Sequence, residues 1–548
     1  MNMAALKSDL AAVGSSVPAE VDVLIIGLGP AGAALANLLG RYGVRVLVVE
    51  RHPDIFRAPR AIALDDEALR ALQLAGLPEG SFETIAVPYA RLHSTVVGEF
   101  ARFNTSGARD GHPRQVTFYQ PDLEERLREQ LARREGVNVT LGTEFLGFNE
   151  DSTGLTAKLR LTGGREVTVR AGYLVGADGA NSSVRQLIGA AFEGRTFGND
   201  WLVVDAGKKD KVIDHIEFVC DPKRPCPHMA APGGRERWEF RLNEGEPRAE
   251  WESDARVAEL LRPWGTPAEL AVERKAIYRF QARVASRFSK GRVFLVGDAA
   301  HLTPPFVGQG LVAALRDITN LGWKLAWVIN GRAGAKILES YDLERRAHAK
   351  SIVDLARFMG MLVAPRNWLS ALAIHGGLKL AMKIPALRRH IQDLGIKPKN
   401  QFAKGLFVAG KSGARLARGG VLPQGWVRNA VGEIVLSDEV VGDYLTLISF
   451  GPAPALDPKT MRAFEALGGR VVELLPRGYR PNGSNPLQWE DLDGTFLPHA
   501  VPFGWVAIVR PDRVVAQDGP ATEAEQLIRT VLALLQPDWE MTAAPVPR

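Results

Sequence analysis

Residues 21–32 read Val-Asp-Val-Leu-Ile-Ile-Gly27-Leu28-Gly29-Pro30-Ala31-Gly32, and residues 44–50 read Val-Arg-Val-Leu-Val-Val-Glu50. An apolar strand runs into a Gly27-x-Gly29-x-x-Gly32 turn, a helical pattern follows, and a second apolar strand ends on an acid. This is the dinucleotide-binding fingerprint in its full setting. Gly27 allows the tight turn, Gly29 lets the backbone approach a pyrophosphate, and Gly32 lets helix and strand close together. Pro30 and Ala31 open the helix, whose first N–H groups are free to meet phosphate. Glu50, at the customary interval of about 20 residues, can accept both ribose hydroxyl protons. Arg51 beside it joins the cofactor-side candidates. An ordinary glycine turn would not explain Glu50.

Two further acids close apolar strands: Tyr173-Leu-Val-Gly-Ala-Asp178-Gly179 and Arg292-Val-Phe-Leu-Val-Gly297-Asp298. In open α/β sheets, ligands bind at the carboxyl ends of strands. Asp298 can bind a hydroxyl of the cofactor's sugar chain, and Asp178-Gly179 can turn the backbone close to the pyrophosphate. After Asp298 comes Thr303-Pro-Pro305-Phe-Val-Gly308-Gln-Gly310-Leu311, directly before apolar residues at 311, 314, 315, 318, 321 and 325, a helical period. Two prolines and two glycines fix an irregular backbone at a helix N-terminus, which offers donors and a positive dipole end. The lack of side-chain bulk at Gly308 and Gly310 suits the close approach of a flat ring.

Residues 21 to about 190 read as α/β. Asp122 with Glu125 looks like a capping-box start for a helix through Arg133, followed by a short strand at 137–141. From about 191 to 283, alternating segments such as Ile216-Glu-Phe-Val and Arg237-Trp-Glu-Phe-Arg predict an antiparallel sheet. Helices run to about 395. Strands return beyond Lys399, at 406–409, 444–450 and 505–509, with a helix over 523–535. The predicted layout is a flexible N-terminal tail at 1–20, an α/β domain formed by 21–190 and 284–398, a sheet domain inserted at 191–283, and a separate α/β domain at 399–548.

A chain of 548 residues is too long for one core, and 46% apolar with 24% charged residues is a globular composition. The net charge of +6 comes without a lysine or arginine run, so nucleic-acid binding is not indicated. Cys220 and Cys226 are too few for a disulfide framework and match no CxxC or zinc spacing. They read as thiols of a reducing cytoplasm, and no metal is called for. The first 20 residues lack the apolar stretch of a signal peptide. Residues 368–387 are apolar but broken by His375, Lys379 and Lys383, so they predict a helix pair and not a membrane span.

The fingerprint with Glu50, the Asp178-Gly179 segment, and Gly297-Asp298 with its Pro-Pro-x-x-Gly-Gln-Gly continuation resemble the class A flavoprotein aromatic hydroxylases over nearly the whole chain. Within that family, Pro59-Arg60-Ala-Ile-Ala-Leu-Asp-Asp-Glu-Ala-Leu-Arg, Arg237-Trp-Glu-Phe and Tyr341-x-x-Glu-Arg-Arg look most like the 3-(3-hydroxyphenyl)propionate hydroxylases and the related phenol and polyketide hydroxylases. The resemblance implies an α/β fold. Its parts are a Rossmann-like FAD-binding domain (GR2/PHBH-type), an inserted antiparallel-sheet substrate domain, and a C-terminal thioredoxin-like domain without a redox CxxC, serving packing or a homodimer. It implies FAD as cofactor, NADH or NADPH as co-substrate without a nicotinamide domain, and molecular oxygen. The substrate is a small aromatic, hydroxylated through a flavin hydroperoxide in aromatic-compound catabolism.

The same resemblance places Glu50 on the adenosine ribose and Asp178 near the pyrophosphate. Arg60 and Gln120 meet the phosphates or ribityl chain, and Gly308 to Leu311 lie against the isoalloxazine, with Gly297 and Pro305 in the same cofactor-binding set. Tyr278 corresponds to a tyrosine that contacts the substrate phenol, and His301 is a second catalytic candidate near the ring. The aspartate that similar phenol hydroxylases hold near the substrate has no counterpart; the stretch reads Ala61-Ile62-Ala63. Arg237, Arg241 and Arg279 are candidates for a substrate carboxylate or for an exposed strand face. An FAD dehydrogenase or reductase without oxygen insertion, and a non-catalytic flavin-binding regulator, stay open as alternatives.

Overall fold

The computed structural model describes residues 17–57, 60–207, 212–483 and 485–536, with 197 and 198 as backbone only. The expected tail lies outside the described residues as far as 16, and so does Pro59. Runs of Val, Ile and Leu that bury both faces form parallel strands. Glu20–Ile26 lies between Val46–Val49 and Glu166–Gly176, parallel to both. Val46–Val49 pairs in parallel with Val137–Thr140, and Glu166–Gly176 with Val293–Leu295. Leu155–Arg160 and Glu144–Glu150 extend this sheet antiparallel. Gly27, Glu50, Asp178 and Gly297 thus all follow the carboxyl ends of parallel strands, at one edge. Helices Pro30–Arg41 and Gly310–Ile329 pack together, with a Cβ at Gly322 only 2.6 Å from Leu38.

The second sheet runs from His301–Leu302 through Val272–Ala285, Phe192–Ala206, Arg235–Arg241, Cys226–Ala231 and Ile216–Cys220 to Tyr89–Ser94 and Gly98–Asn104. Its last two strands come from early in the chain, a crossing that local alternation does not reveal. Directly opposed residues of an antiparallel pair share a face. Trp201, Val203 and Asp205 therefore point the same way as Arg237 and Glu239 on one neighbour and Arg274, Ala276 and Tyr278 on the other. That face packs on the Pro305–Val307 turn and helix Glu339–Val363, where Trp201, Phe218, Phe306, Met359 and Leu362 share one core. Cys220 and Cys226 are free and buried, and burial pushes both thiols up.

A third, seven-stranded sheet centres on Leu445–Phe450, parallel to Gly469–Leu475 and antiparallel to Trp505–Val509. Helix Ala524–Leu535 sets Leu527, Ile528 and Val531 against Trp323 and Trp327 of Gly310–Ile329. Two local expectations are corrected. Residues 406–409 form no strand: the Leu406 N–H donates to Glu344 at 2.7 Å and the Val408 N–H to the Ala516 carbonyl at 2.8 Å, so this apolar run is a tether. The helix expected from Asp122 is Gln120–Leu131, started by a proline in its first turn and not by a capping box.

Beside Trp323 lies a sealed charge cluster. Glu344 accepts from Lys324 and Arg510, each at 2.7 Å, and Arg510 also grips Asp512. Burial alone would push Glu344 up, but Arg510 and Lys324 hold it well below the usual carboxylate range; burial pulls Lys324 down to about 8. Removing one member leaves buried charges unpaired, at a cost of about 3–5 kcal/mol. Glu344→Ala should lose stability of that order in urea unfolding at neutral pH. In the native chain the contribution of Glu344 is complete above the unfolded carboxyl pKa of about 4.3 and is lost as pH falls toward the depressed folded value. A loss under about 0.5 kcal/mol, the scale of an ordinary surface change, would contradict this.

Candidate active site

Gly27 adopts φ +105°, and a Cβ there would collide with the Ala177 carbonyl; a Cβ at Gly32 would collide with the carbonyl of Gly27. Both glycines are demanded by packing. Gly29 differs. Its φ of −71° suits any residue, and a Cβ there would meet nothing within 4 Å. Helix Pro30–Arg41 starts at this bare position with no capping side chain and no acid in its first turn. Helix Gly310–Ile329 also starts uncapped and without an acid, and the space above Gly310 is open as well. Gly297, at φ +59°, lies between the two starts, its Cβ position within 3.4 Å of Ala31 and Ala314. Two sets of unsatisfied N–H groups and two positive dipole ends therefore converge on one cleft.

The polar candidates gather around it. Glu50 is fixed by the N–H groups of Leu28 and His52, both at 2.9 Å. Arg51 is exposed, its Nε 3.1 Å from His52. Gln120 Oε1 accepts from the N–H groups of Arg60 at 3.0 Å and Ala61 at 2.8 Å. The Arg60 guanidinium lies 3.7 Å from Asp298, whose side chain keeps 40% of its surface open to the cleft. Crowding around Asp298 pushes its carboxyl up, with Arg60 and His301 opposing. Asp178 carries a structural load: Oδ2 takes the N–H groups of Ser183 at 2.7 Å and Val184 at 3.2 Å, capping the short helix Ser183–Leu187. Gly179, at φ +79°, faces open space.

The Pro305–Val307 turn ends in Gly308 at φ +62°. The Gln309 side chain turns inward, donating to Asp65 at 2.9 Å and accepting from Arg316 at 3.2 Å, so it leaves the helix start uncovered. Leu311 packs half-buried against the first core. Phe306 meets Trp201 at 5.3 Å and Phe280 at 5.9 Å between ring centres, forming one packed aromatic cluster. On the same sheet face, Tyr278 stands opposite Trp201 and its hydroxyl contacts the Arg274 guanidinium. Arg237 donates to Asp205 at 2.6 Å and to the Arg60 carbonyl at 3.0 Å, and Arg274 joins Asp205 at 2.9 Å. Asp205, Arg237 and Arg274, with Ile62 and Tyr119, border a cavity of about 160 Å³.

Glu239 lies one step along the strand from Arg237, 6% exposed, opposite Val203. Burial pushes its carboxyl up to about 7, Arg237 pulling it down and Asp205 pushing it up. His301, read as a candidate near the ring, is instead sealed in the interior at 1% exposure, its Nε2 held 2.7 Å from Asp317. Burial would raise Asp317, but His301 and Arg345 hold it below the usual range. Arg241 bonds the Pro222 carbonyl and Arg279 bonds Asp200, so both serve structure. Sequence reasoning missed Asp205, Arg274 and Glu239. Their one signal is strict alternation along three strands that become neighbours only in the sheet.

Residues 20–356 match the family described as FAD binding domain, and residues 419–534 the HcaD C-terminal domain. The chain is 33% identical to a 3-(3-hydroxy-phenyl)propionate/3-hydroxycinnamic acid hydroxylase of Comamonas testosteroni, over 95% of this chain and 98% of that one. It is 36% identical to hydroxylase 2 of that name from Burkholderia vietnamiensis, over 91% and 93%. Among solved structures, aklavinone-11 hydroxylase with FAD and aklavinone superposes with a TM-score of 0.69 at 26% identity, over 94% of this chain and all 100% of that one. The flavin-dependent monooxygenase PieE, with FAD and substrate, gives 0.77 at 24% identity, over 95% and 100%.

The open space at Gly29 makes a sharp test. Gly29→Val should fold normally, by circular dichroism, yet bind FAD roughly a hundredfold more weakly in a fluorescence titration, about 2.7 kcal/mol. Gly32→Val should fail to fold. Asp298→Ala should fold and also bind FAD more weakly. Full FAD affinity in Gly29→Val would contradict the assignment of the cleft.

Proposed function

Because the chain belongs to the family of FAD-binding aromatic hydroxylases, we propose that it is an FAD-dependent monooxygenase consuming NADH or NADPH and molecular oxygen to hydroxylate a phenolic ring. The observation that carries the reading is the pair of uncapped helix starts facing one cleft. When bound, FAD supplies the redox chemistry, taking hydride from the nicotinamide and activating oxygen. The chain's residues hold and shield it. Gly27, Gly29, Gly32 and Glu50 take the adenosine and pyrophosphate end, Arg60, Gln120 and Asp298 the linking chain, and the backbone from Gly308 to Leu311 the ring. Trp201, Phe280 and Phe306 keep water from the reacting face.

Tyr278 and Arg274 orient the phenol hydroxyl, and Glu239 accepts its proton at a carboxylate oxygen. A carboxyl kept near neutrality is matched to that task, and the resulting phenolate is more electron-rich than the phenol. This fills the role left vacant by Ala61-Ile62-Ala63. Arg237 and Arg274 both donate to the carboxylate of Asp205 beside this site. The substrate class is a phenol bearing a carboxylate, as the relatives' names suggest. The second sheet serves as the substrate-binding unit. The C-terminal unit is a thioredoxin-like appendage for packing or dimerisation, and the protein works in the cytoplasm.

With FAD bound, 3-(3-hydroxyphenyl)propionate should accelerate NADH or NADPH oxidation and yield a product one oxygen atom heavier; nicotinamide oxidation without an oxygenated product from any phenolic acid would overturn the reading. Glu239→Gln should lower kcat roughly a hundredfold, the scale of general-base catalysis. The native carboxyl, raised to about 7, keeps a proton that the unfolded chain has already released, so it costs stability as pH climbs from about 4.3 through 7. Glu239→Gln should accordingly be more stable than the native chain at pH 8, about one unit above that value. A variant both slower and less stable there would point to a structural role.

A further inference from the structure

Helix Trp368–Ala381 and its successor Pro385–Gln392 stand on the edge strand Gly98–Asn104 of the second sheet. The inner stripe of the first helix, Ala371, His375 and Leu378, faces that edge: His375 stacks on Phe100 at 4.2 Å and bonds Ser94 at 2.9 Å. A helix with one apolar stripe has then buried what it needs to bury. This one is apolar on its outer side as well. Trp368 is 60% exposed, Leu369 57%, Leu380 64% and Ile384 57%, and Phe358 and Met361 extend the surface along the chain. Of the exposed large apolar side chains among the described residues, nearly half fall between 355 and 392. Apolar exposure concentrated in one segment on this scale marks an interaction surface.

The charge of the segment narrows the partner. Residues 355–392 carry six cations, Arg357, Arg366, Lys379, Lys383, Arg388 and Arg389, and no Asp or Glu at all. All six are exposed. Arg357 pairs with Asp354 at 3.3 Å, but Arg366, Lys383, Arg388 and Arg389 have no acidic partner among the described residues. Lys379, near the end of the first helix, donates to the Val97 carbonyl, while Lys383 follows the helix end at Ala381, beside the exposed Leu380 and Ile384. A second copy docked about a two-fold axis would set this cationic surface against itself, at a cost. An anionic bilayer complements both halves. Phosphate headgroups meet the cations while Trp and Leu side chains enter the interface, and the 14-residue helix is too short to span and would lie in the plane. We propose that the 355–392 surface docks the protein on anionic lipid membranes.

The test uses the full chain with FAD bound and vesicles of phosphatidylcholine with or without phosphatidylglycerol. The protein should co-sediment with the phosphatidylglycerol vesicles at low salt and be released by molar salt. The emission of Trp368, taken as the difference between the native chain and Trp368→Phe, should shift to the blue on binding. Reversing three charges in Lys383→Glu/Arg388→Glu/Arg389→Glu should cut partitioning by roughly a hundredfold or more, about 1 kcal/mol per cation near an anionic surface. Substrate-stimulated nicotinamide oxidation in lipid-free buffer should be unchanged, showing that the variant is folded. Equal binding to both vesicle types, or no binding to either, would overturn the proposal. So would a Trp368 already shielded from acrylamide without lipid, which would mean that the chain's own terminal residues or a second copy cover the surface.

Discussion

The fold turns on the steric demand at Gly27 and Gly32. Neither position tolerates a Cβ, because the carbonyls of Ala177 and Gly27 occupy the space, and this contact draws strand Glu20–Ile26, helix Pro30–Arg41 and the end of Glu166–Gly176 into one tight corner. Every cofactor-side group is referenced to that corner. Glu50 is anchored to the Leu28 N–H, Gly297 wedges between Ala31 and Ala314, and the second uncapped helix start is thereby aimed beside the first. The chain leaves two helix dipoles uncompensated at one place, which is an unfavourable arrangement without an anionic ligand to meet them.

Buried charges then fix what the glycines leave loose. Asp317 gathers His301, Arg345 and the Gly297 N–H, locking the strand end that carries Asp298. Asp65 and Arg316 hold Gln309 away from the helix start, and Lys397 braces Asp65 at 2.7 Å from a segment more than 300 residues away in sequence. The Glu344 cluster joins the third sheet to helix Gly310–Ile329. Each sits where separate parts of the chain meet, and each makes geometry specific more than it adds stability.

Much of the cofactor side was legible in the sequence because its signals are local. Glycines at fixed offsets, an acid at a strand end and a Pro-Gly loop before a helical period all depend on neighbours a few residues away. The substrate side was not, because it is built from register. Asp205, Arg237, Arg274 and Glu239 lie on three strands, and only their pairing brings two arginines to one carboxylate beside a second whose carboxyl burial pushes up. The setting of His301 was hidden for the same reason: its partner Asp317 lies 16 residues on, about two turns inside helix Gly310–Ile329. The strand expected at 406–409 failed because an apolar run can be buried by tethering to a charge cluster as well as by a ladder.

The cleft, the aromatic cluster and the buried carboxylate have meaning together only if oxygen from the gas enters the ring. The most direct measurement is mass spectrometry of the product formed by the FAD-bound chain from a phenolic acid under heavy-isotope dioxygen. The account requires one heavy oxygen atom in the aromatic product. A product carrying oxygen from water, or unchanged phenol beside fully consumed nicotinamide, would contradict it.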